Sequence, residues 1–246
     1  MSDTLIVIPA RYASTRFPAK VLAKLSGKPI LQWVYEACRR ADLGDVLIAT
    51  EHEAVVRAAA EFGAKAVMTS AACASGTDRV FEASSGRSEK FVVNVQSDEP
   101  FLQTETLVKA IGVLRNNPDA DIATAGAPIT DPREVNNPNC VKIALGENGR
   151  ALYFSRSVIP HHHPLSDLKD EPWYKHCGLY AYRRASLERF VKLRPSKMEK
   201  LERLEQLRAL EDGMKIYSVT VPFLGPAIDT PADLEEAVKF LGKISK

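Results

Sequence analysis

The sequence predicts an α/β protein: a mostly parallel central sheet with helices on both faces, plus an irregular smaller lobe from the second half. Three observations carry this. Short, continuous apolar runs recur through the first half, as in strands buried on both faces. Segments of helical periodicity separate them, which is the alternation a parallel sheet needs. Past residue 127 the pattern loosens into shorter strands broken by Pro128, Pro132 and Pro138.

The elements follow in chain order. Leu5–Ile8 is the first strand. Pro29 opens a helix whose apolar residues Ile30, Val34, Ala37, Cys38 and Ala41 recur at helical spacing. Val46–Ala49, Ala66–Met68 and Phe91–Val95 are further strands, and His52–Phe62, Thr77–Ala83 and Thr104–Asn116 are helices. In the second half, strands are expected at Asp121–Ala127, Val141–Leu145, Ala151–Phe154, Leu179–Arg183 and Lys215–Val221. Pro128 to Asn139 reads as a loop. Lys197–Asp212 reads as one polar helix packed through Leu201, Leu204, Leu207 and Leu210, and Pro231–Leu241 as a last helix. The organisation expected is a single domain over 1–246. Residues 1–127 would form its regular half, 128–230 the irregular lobe, and 231–246 a C-terminal helix.

Composition narrows the function classes. The 246 residues are 45% hydrophobic and 26% charged, ordinary for a globular protein, and a formal charge of +2 argues against a nucleic-acid partner. No run approaches the roughly 18 apolar residues that span a bilayer, so no membrane insertion is expected. The start of the chain has no signal-peptide layout. Cys38, Cys73, Cys140 and Cys177 are scattered and form no C-x-x-C pair. Reduced thiols and a cytoplasmic location are therefore expected.

Positive charge is nevertheless concentrated locally. In LIVIPARYASTRFPAKVL, Arg11, Arg16 and Lys20 follow the first strand with no acid among them. Ligands of open parallel sheets bind beyond the carboxyl ends of the strands. Cations in that place suit a polyanion such as a triphosphate, arginine gripping two oxygens and lysine acting as a point charge. A solvated basic loop is the plain alternative. No G-x-G-x-x-G follows the strand; Gly27-Lys28 runs into Pro29, and Leu22 stands where a P-loop needs its first glycine. Dinucleotide dehydrogenases and P-loop kinases are disfavoured. The fourth strand ends in NVQSDEPF, which puts Asp98 at the ligand end, where a carboxylate suits Mg²⁺. Asp229, in AIDTPADL, fits a helix cap and a metal ligand equally well.

Eight stretches together carry a resemblance: IPARYASTRFPAKVL, SGTDR, NVQSDEPF, NPNCVK, ALYFSRSVIP, HCGLYAYR, LEQLRAL and AIDTPADLE. In this order, from about Ile6 to Leu234, the chain resembles the CMP-KDO synthetase (3-deoxy-manno-octulosonate cytidylyltransferase) family. The resemblance implies a nucleotide-diphospho-sugar-transferase-like fold, CTP as donor, Mg²⁺ as cofactor and the acidic eight-carbon sugar KDO as acceptor. The product would be CMP-KDO for lipopolysaccharide synthesis, made by a cytoplasmic homodimer. Carried over by position, Arg11, Arg16 and Lys20 would bind the triphosphate. Ser75 and Gln96 would lie by the cytosine and ribose, and Asp98 and Asp229 would hold Mg²⁺, with Asp98 counted among the catalytic groups. Arg156, His176, Tyr180, Glu205 and Gln206 would shape the sugar site; residues 1–127 would then be the nucleotide-binding half and 128–230 the sugar-binding and dimerisation lobe.

Each sugar-site residue has a plain reading beside it. Arg156 suits a carboxylate, or simply ends a strand. His176 and Tyr180, four apart in a strand, share a face, whether toward a sugar or as half-buried polar residues. Glu205 and Gln206 read as the exposed face of an amphipathic helix. His161-His162-His163, flanked by Pro160 and Pro164, reads as an exposed loop near the sugar site, not a zinc site. One departure stands out: the family form carries Gly where this chain has Ser97. If that position needs φ > 0, serine costs roughly 1 kcal/mol, and a modified acceptor such as 8-amino-KDO becomes an alternative. A nucleotide-sugar glycosyltransferase and a non-catalytic binding homologue are the remaining alternatives. The acids and cations retained in the chain count against the second of these.

Overall fold

The computed structural model describes residues 2–13, 17–163 and 173–244. The chain divides into two compact units, one of residues 1–108 with 225–246, the other of 109–224.

The first unit begins with β1 (Thr4–Pro9), whose six residues are all buried, as a continuous apolar run requires. A 3₁₀ turn at Lys20–Leu22 and two short antiparallel strands, β2 (Lys24–Leu25) and β3 (Lys28–Pro29), lead into α1 (Ile30–Arg40). The predicted stripe of α1 is the face it buries: Ile30, Val34, Ala37 and Cys38, with Ala41 closing the helix. Then come β4 (Gly44–Thr50), α2 (Glu53–Glu61), β5 (Lys65–Met68), α3 (Gly76–Ala83) and β6 (Phe91–Val95); α4 (Thr104–Asn116) begins in this unit and ends in the second. Strand order is β6-β1-β4-β5, every neighbouring pair parallel. The carboxyl ends of β1, β4 and β6 therefore open on one edge. The last helix, α9 (Pro231–Ile244), returns to this unit: Ile228 and Ala237 pack with Leu25 and Ile30, flanked by Trp33, Phe101 and Leu234. That return brings Asp229 back beside residues near the start of the chain.

In the second unit, β7 (Ile122–Pro128) is followed by α5 (Pro132–Val135), β8 (Lys142–Leu145), β9 (Ala151–Ser155), β10 (Tyr174–Arg183), α6 (Arg184–Lys192), α7 (Lys197–Glu202), α8 (Leu207–Glu211) and β11 (Ile216–Thr220). Its strands run β11-β7-β10-β8-β9; only the β11–β7 pair is parallel. This is the irregular half that the sequence predicts, with four corrections. The Pro128–Asn139 loop contains α5, capped by Asp131, whose side chain accepts from Arg133 N. β10 starts at Tyr174, five residues before Leu179. α6 is a helix the sequence reading left out. The single helix expected over Lys197–Asp212 is two, because Arg203 takes a left-handed conformation (φ 56°) and ends α7. Leu204 and Leu207 are buried beyond the break, while Leu201 is 68% exposed.

All four cysteines are free. No helix among the described residues is long and apolar enough to cross a membrane.

Candidate functional site

The carboxyl ends of β1 and β6 carry the groups expected there. Lys20, at the head of the 3₁₀ turn, places its Nζ 2.8 Å from Asp98 Oδ2 and 2.9 Å from Asp229 Oδ1. Burial alone would lower the lysine's pKa; Asp98 and Asp229 outweigh it and hold the pKa above its ordinary value, so the ammonium stays charged. The backbone supports the pair: Ile228 N donates to the Asp98 carbonyl at 2.9 Å. The helix-cap reading of Asp229 fails, because its neighbour takes that place. Thr230 Oγ1 accepts from Asp233 N (3.2 Å), and Asp233 Oδ2 accepts from Thr230 N and Asp229 N (2.7 and 2.9 Å). Thr230 is thus the capping acceptor of α9, and the Asp229 carboxylate turns to Lys20.

The two carboxylates already share one cation. They are hard oxygen donors of the kind Mg²⁺ takes, and the donor set fits that ion completed by substrate phosphates and water. No group of three or more His, Cys, Asp or Glu side chains that could hold a metal occurs among the described residues. His161–His163 are exposed and form no such group.

Arg11 is exposed and donates through Nη2 to the Cys73 carbonyl at 2.9 Å. Arg16 lies outside the described residues. Ser75 caps α3 in a reciprocal box: its hydroxyl accepts from Asp78 N (3.1 Å) and Asp78 Oδ2 accepts from Ser75 N (2.9 Å). A Cβ built on Gly76 would lie 3.5 Å from Pro9 and 3.9 Å from Gln96 Nε2. The first turn of α3, the end of β1 and Gln96 therefore meet, with the amino terminus of an eight-residue helix among them. Ser97 is 9% exposed and is not among the non-glycine residues with positive φ, which among the described residues are Ala19, Ser26, Asp42 and Arg203. The backbone strain considered for Ser97 is absent.

The second unit has a cluster of its own. His176 and Tyr180 do meet, with ring centroids 5.3 Å apart, but not through simple alternation. Between Cys177 and Ala181 β10 advances four residues while β7 advances two, from Ala125 to Ala123. This bulge leaves carbonyls off the ladder, and the Thr124 hydroxyl takes them: it donates to Leu179 O at 2.7 Å, with Cys177 O at 3.3 Å. Its lone pair then accepts from His176 Nε2 at 2.9 Å, which fixes the imidazole tautomer. Burial pushes the His176 pKa down to about 3. Burial, Tyr182 and the nearby Glu205 carboxylate raise that of Tyr180 well above its usual value. Both are neutral hydrogen-bonding groups at neutral pH, suited to hydroxyls and not to proton transfer.

Gln206, expected on an exposed face, is 6% exposed, because the break at Arg203 turns α8 inward. Glu205 beside it is half-buried. Arg156 is committed to backbone: Nε donates to Glu202 O (2.8 Å), Nη1 to Pro138 O (2.9 Å) and Nη2 to Arg203 O (3.5 Å). It braces the turn that ends α7. Lys142, wholly buried, was missed by the sequence reading: its Nζ donates to the carbonyls of Asn137 (2.9 Å), Cys140 (2.6 Å) and Arg156 (2.7 Å). Glu51 and Arg79 were missed as well. The rule that flagged Asp98 applies equally to Glu51, which directly follows β4.

Comparison with known proteins gives the following. The cytidylyltransferase family matches residues 5–216. The chain is 53% identical over 242 residues to the 3-deoxy-manno-octulosonate cytidylyltransferase of Elusimicrobium minutum, covering 98% of this chain and 99% of the relative. It is 43% identical over 237 residues to the 8-amino-3,8-dideoxy-manno-octulosonate cytidylyltransferase of Shewanella halifaxensis, covering 94% and 96%. Among solved structures, a CMP:2-keto-3-deoxy-manno-octonic acid synthetase complexed with CTP superposes with TM-score 0.91 at 37% identity, covering 98% of this chain and 99% of that one.

Proposed function

This chain belongs to the cytidylyltransferase family, and we propose that it transfers CMP from CTP to the anomeric hydroxyl of 3-deoxy-manno-octulosonate, releasing pyrophosphate. The hydroxyl oxygen forms a bond to the α-phosphorus as the bond to the β-phosphate breaks. The observation that carries the reading is the Asp98–Lys20–Asp229 cluster at the carboxyl end of a parallel sheet. Both reactants are anions, so the barrier is largely electrostatic, and orientation with charge neutralisation can supply most of the rate. Asp98 and Asp229 would hold Mg²⁺. That ion, when bound, screens the triphosphate and draws electron density from its oxygens. Arg11 and Lys20 add cations beside it, and Arg16 is assigned the same role by its place in the loop. Ser75 and Gln96, at the head of α3 and the end of β6, are assigned to the nucleoside. Neutral His176 and Tyr180, with Glu205 and Gln206, are assigned to the sugar hydroxyls. Arg156 spends its guanidinium on backbone carbonyls, so its role is to shape that cluster, with any hold on the sugar carboxylate secondary. Four free cysteines support a reducing, cytoplasmic setting. Exposed Leu152 and Leu201 support a homodimer that covers them.

The test is to supply Mg²⁺, KDO and each of the four nucleoside triphosphates in turn and to measure pyrophosphate. Release with CTP alone is expected; release with none of them, or equally with all, refutes the reading. Asp98→Asn and Asp229→Asn should each cut turnover by roughly 10²–10³-fold, as loss of one charge-stabilising contact does, with melting behaviour retained. Normal rates in both would remove the metal assignment. The similarity to the Shewanella halifaxensis enzyme favours one second reading, 8-amino-KDO as acceptor. Competition between the two sugars decides it, and plain KDO is expected to win because Ser97 imposes no backbone change.

A further inference from the structure

The loop bearing Arg11 and Lys20 is gripped by groups to which the reaction assigns no part. Tyr12 N donates to Glu51 Oε1 at 2.9 Å. The Tyr12 ring lies flat on the His52 imidazole, centroids 3.9 Å apart and planes within 9°. The other Glu51 oxygen, Oε2, pairs with Arg79 Nη2 at 3.0 Å; that arginine side chain is 1% exposed and also donates to the Thr69 hydroxyl. One residue earlier, Arg11 reaches the Cys73 carbonyl, two residues before the Ser75 cap. The start of the loop is thus tied twice to α3 and its approach, once through Arg11 and once through Tyr12, Glu51 and Arg79.

A buried guanidinium needs a counter-charge, and Glu51 supplies it. A purely structural partner would not also need to hold a loop amide. Here one oxygen serves the core and the other serves the backbone of the basic loop. Ordering a residue costs backbone entropy. Residues already held before the nucleotide arrives spare binding that cost. We propose that Glu51, His52 and Arg79 are positioning residues that pre-set Arg11 and Tyr12, at the start of the basic loop, for the CTP triphosphate, acting on nucleotide binding and not on the sugar acid. The proposal rests on the cytidylyltransferase reading above.

Four variants test it: Tyr12→Ala, Tyr12→Phe, His52→Asn and Glu51→Gln. His52 Nδ1 caps α2 by accepting from Ala54 N (3.2 Å), and asparagine keeps a capping acceptor while removing the ring. Two readouts are taken: amide hydrogen exchange at Tyr12 in the nucleotide-free protein, and separate KM values for CTP and for the sugar acid. Tyr12→Ala and His52→Asn should raise KM for CTP roughly two- to tenfold, the equivalent of one aromatic contact, with KM for the sugar acid unchanged. Tyr12→Phe should match the wild type, and Glu51→Gln should speed exchange at Tyr12. Unchanged KM for CTP in Tyr12→Ala and His52→Asn, or both KM values rising together, overturns the proposal. So does wild-type exchange at Tyr12 in Glu51→Gln. If Glu51→Gln does not fold, the two substitutions at the ring stack carry the decision. If the wild type releases no pyrophosphate from CTP, the reaction is wrong, and the exchange comparison still judges the anchor.

Discussion

Replacing Lys20 by methionine tests the centre of the site, because one ammonium serves two carboxylates. Nζ lies 2.8 Å from Asp98 and 2.9 Å from Asp229, with the lysine side chain 11% exposed and the acids 25% and 41%. Methionine keeps the stem's packing and removes the charge, leaving two acids facing each other without the cation between them. A hydrogen bond to a charged group contributes about 1.5–3 kcal/mol when well buried. The contact to Asp229 is discounted toward the 0–1 kcal/mol of exposed pairs. Allowing for the desolvation that methionine avoids, we expect a loss of about 1–3 kcal/mol of stability without divalent ions. The same substitution should favour a divalent ion. A unit charge about 4 Å away acts with about 4 kcal/mol at an effective dielectric of 20. Even a third of that, about 1.4 kcal/mol, is tenfold in affinity. The assay is titration of nucleotide-free protein with Mn²⁺ by calorimetry or electron paramagnetic resonance, alongside urea unfolding with and without the ion. Lys20→Met should bind Mn²⁺ at least about tenfold more tightly than wild type, and the stability gap should narrow at saturation. Equal Mn²⁺ affinity in the two proteins would refute the idea that ammonium and metal compete for one pair of acids.

Further expectations follow from other contacts. His176 is held neutral down to about 3, whereas an unfolded histidine takes its proton near 6.5. Below pH 6.5 the unfolded chain binds the extra proton, so stability is full above 6.5 and falls toward pH 3, by up to about 1.4 kcal/mol per pH unit from this group. His176→Gln should remove that slope, and a pH-independent stability difference between the two proteins would contradict it. Lys142→Met deprives three carbonyls of their shared donor; a loss of roughly 2–4 kcal/mol, read as a lower urea midpoint at constant m-value, is expected. Gly225→Ala would put a Cβ 2.3 Å from Phe101 Cβ. Overpacking of about 1–3 kcal/mol should lower the melting temperature by about 2–4 °C per kcal/mol, and an unchanged Tm would show that the backbone at Gly225 or Phe101 shifts to relieve the contact.

Among these groups, those legible in the sequence had a local signal. Lys20 and Asp98 could be assigned because each follows an apolar run, and the rule that ligands gather at strand ends needs nothing more. His176 and Tyr180 were paired by a period that β10 breaks; the rings meet because the bulge moves two residues together, not one. The plain reading of Gln206 as an exposed residue fails because the leucine spacing of LERLEQLRAL looks like one helix. The interruption sits at an arginine in a left-handed conformation, which no local preference signals.

Taken alone, the order of residues determined the long strands and the α-helices of the first unit, though not its 3₁₀ turn or the short β2–β3 pair, since burial imposes a period on the chain and a period can be read. It determined as well which strand ends carry charge. Tertiary structure decided which charges meet. Asp229 reaches Lys20 across 209 positions because Ile228 and Ala237 pack onto Leu25 and Ile30. Arg79 finds Glu51, and Arg156 finds three carbonyls, by similar long-range returns. Pairing of polar groups leaves no repeat along the chain: it depends on where the backbone comes back, and only the packed core determines that.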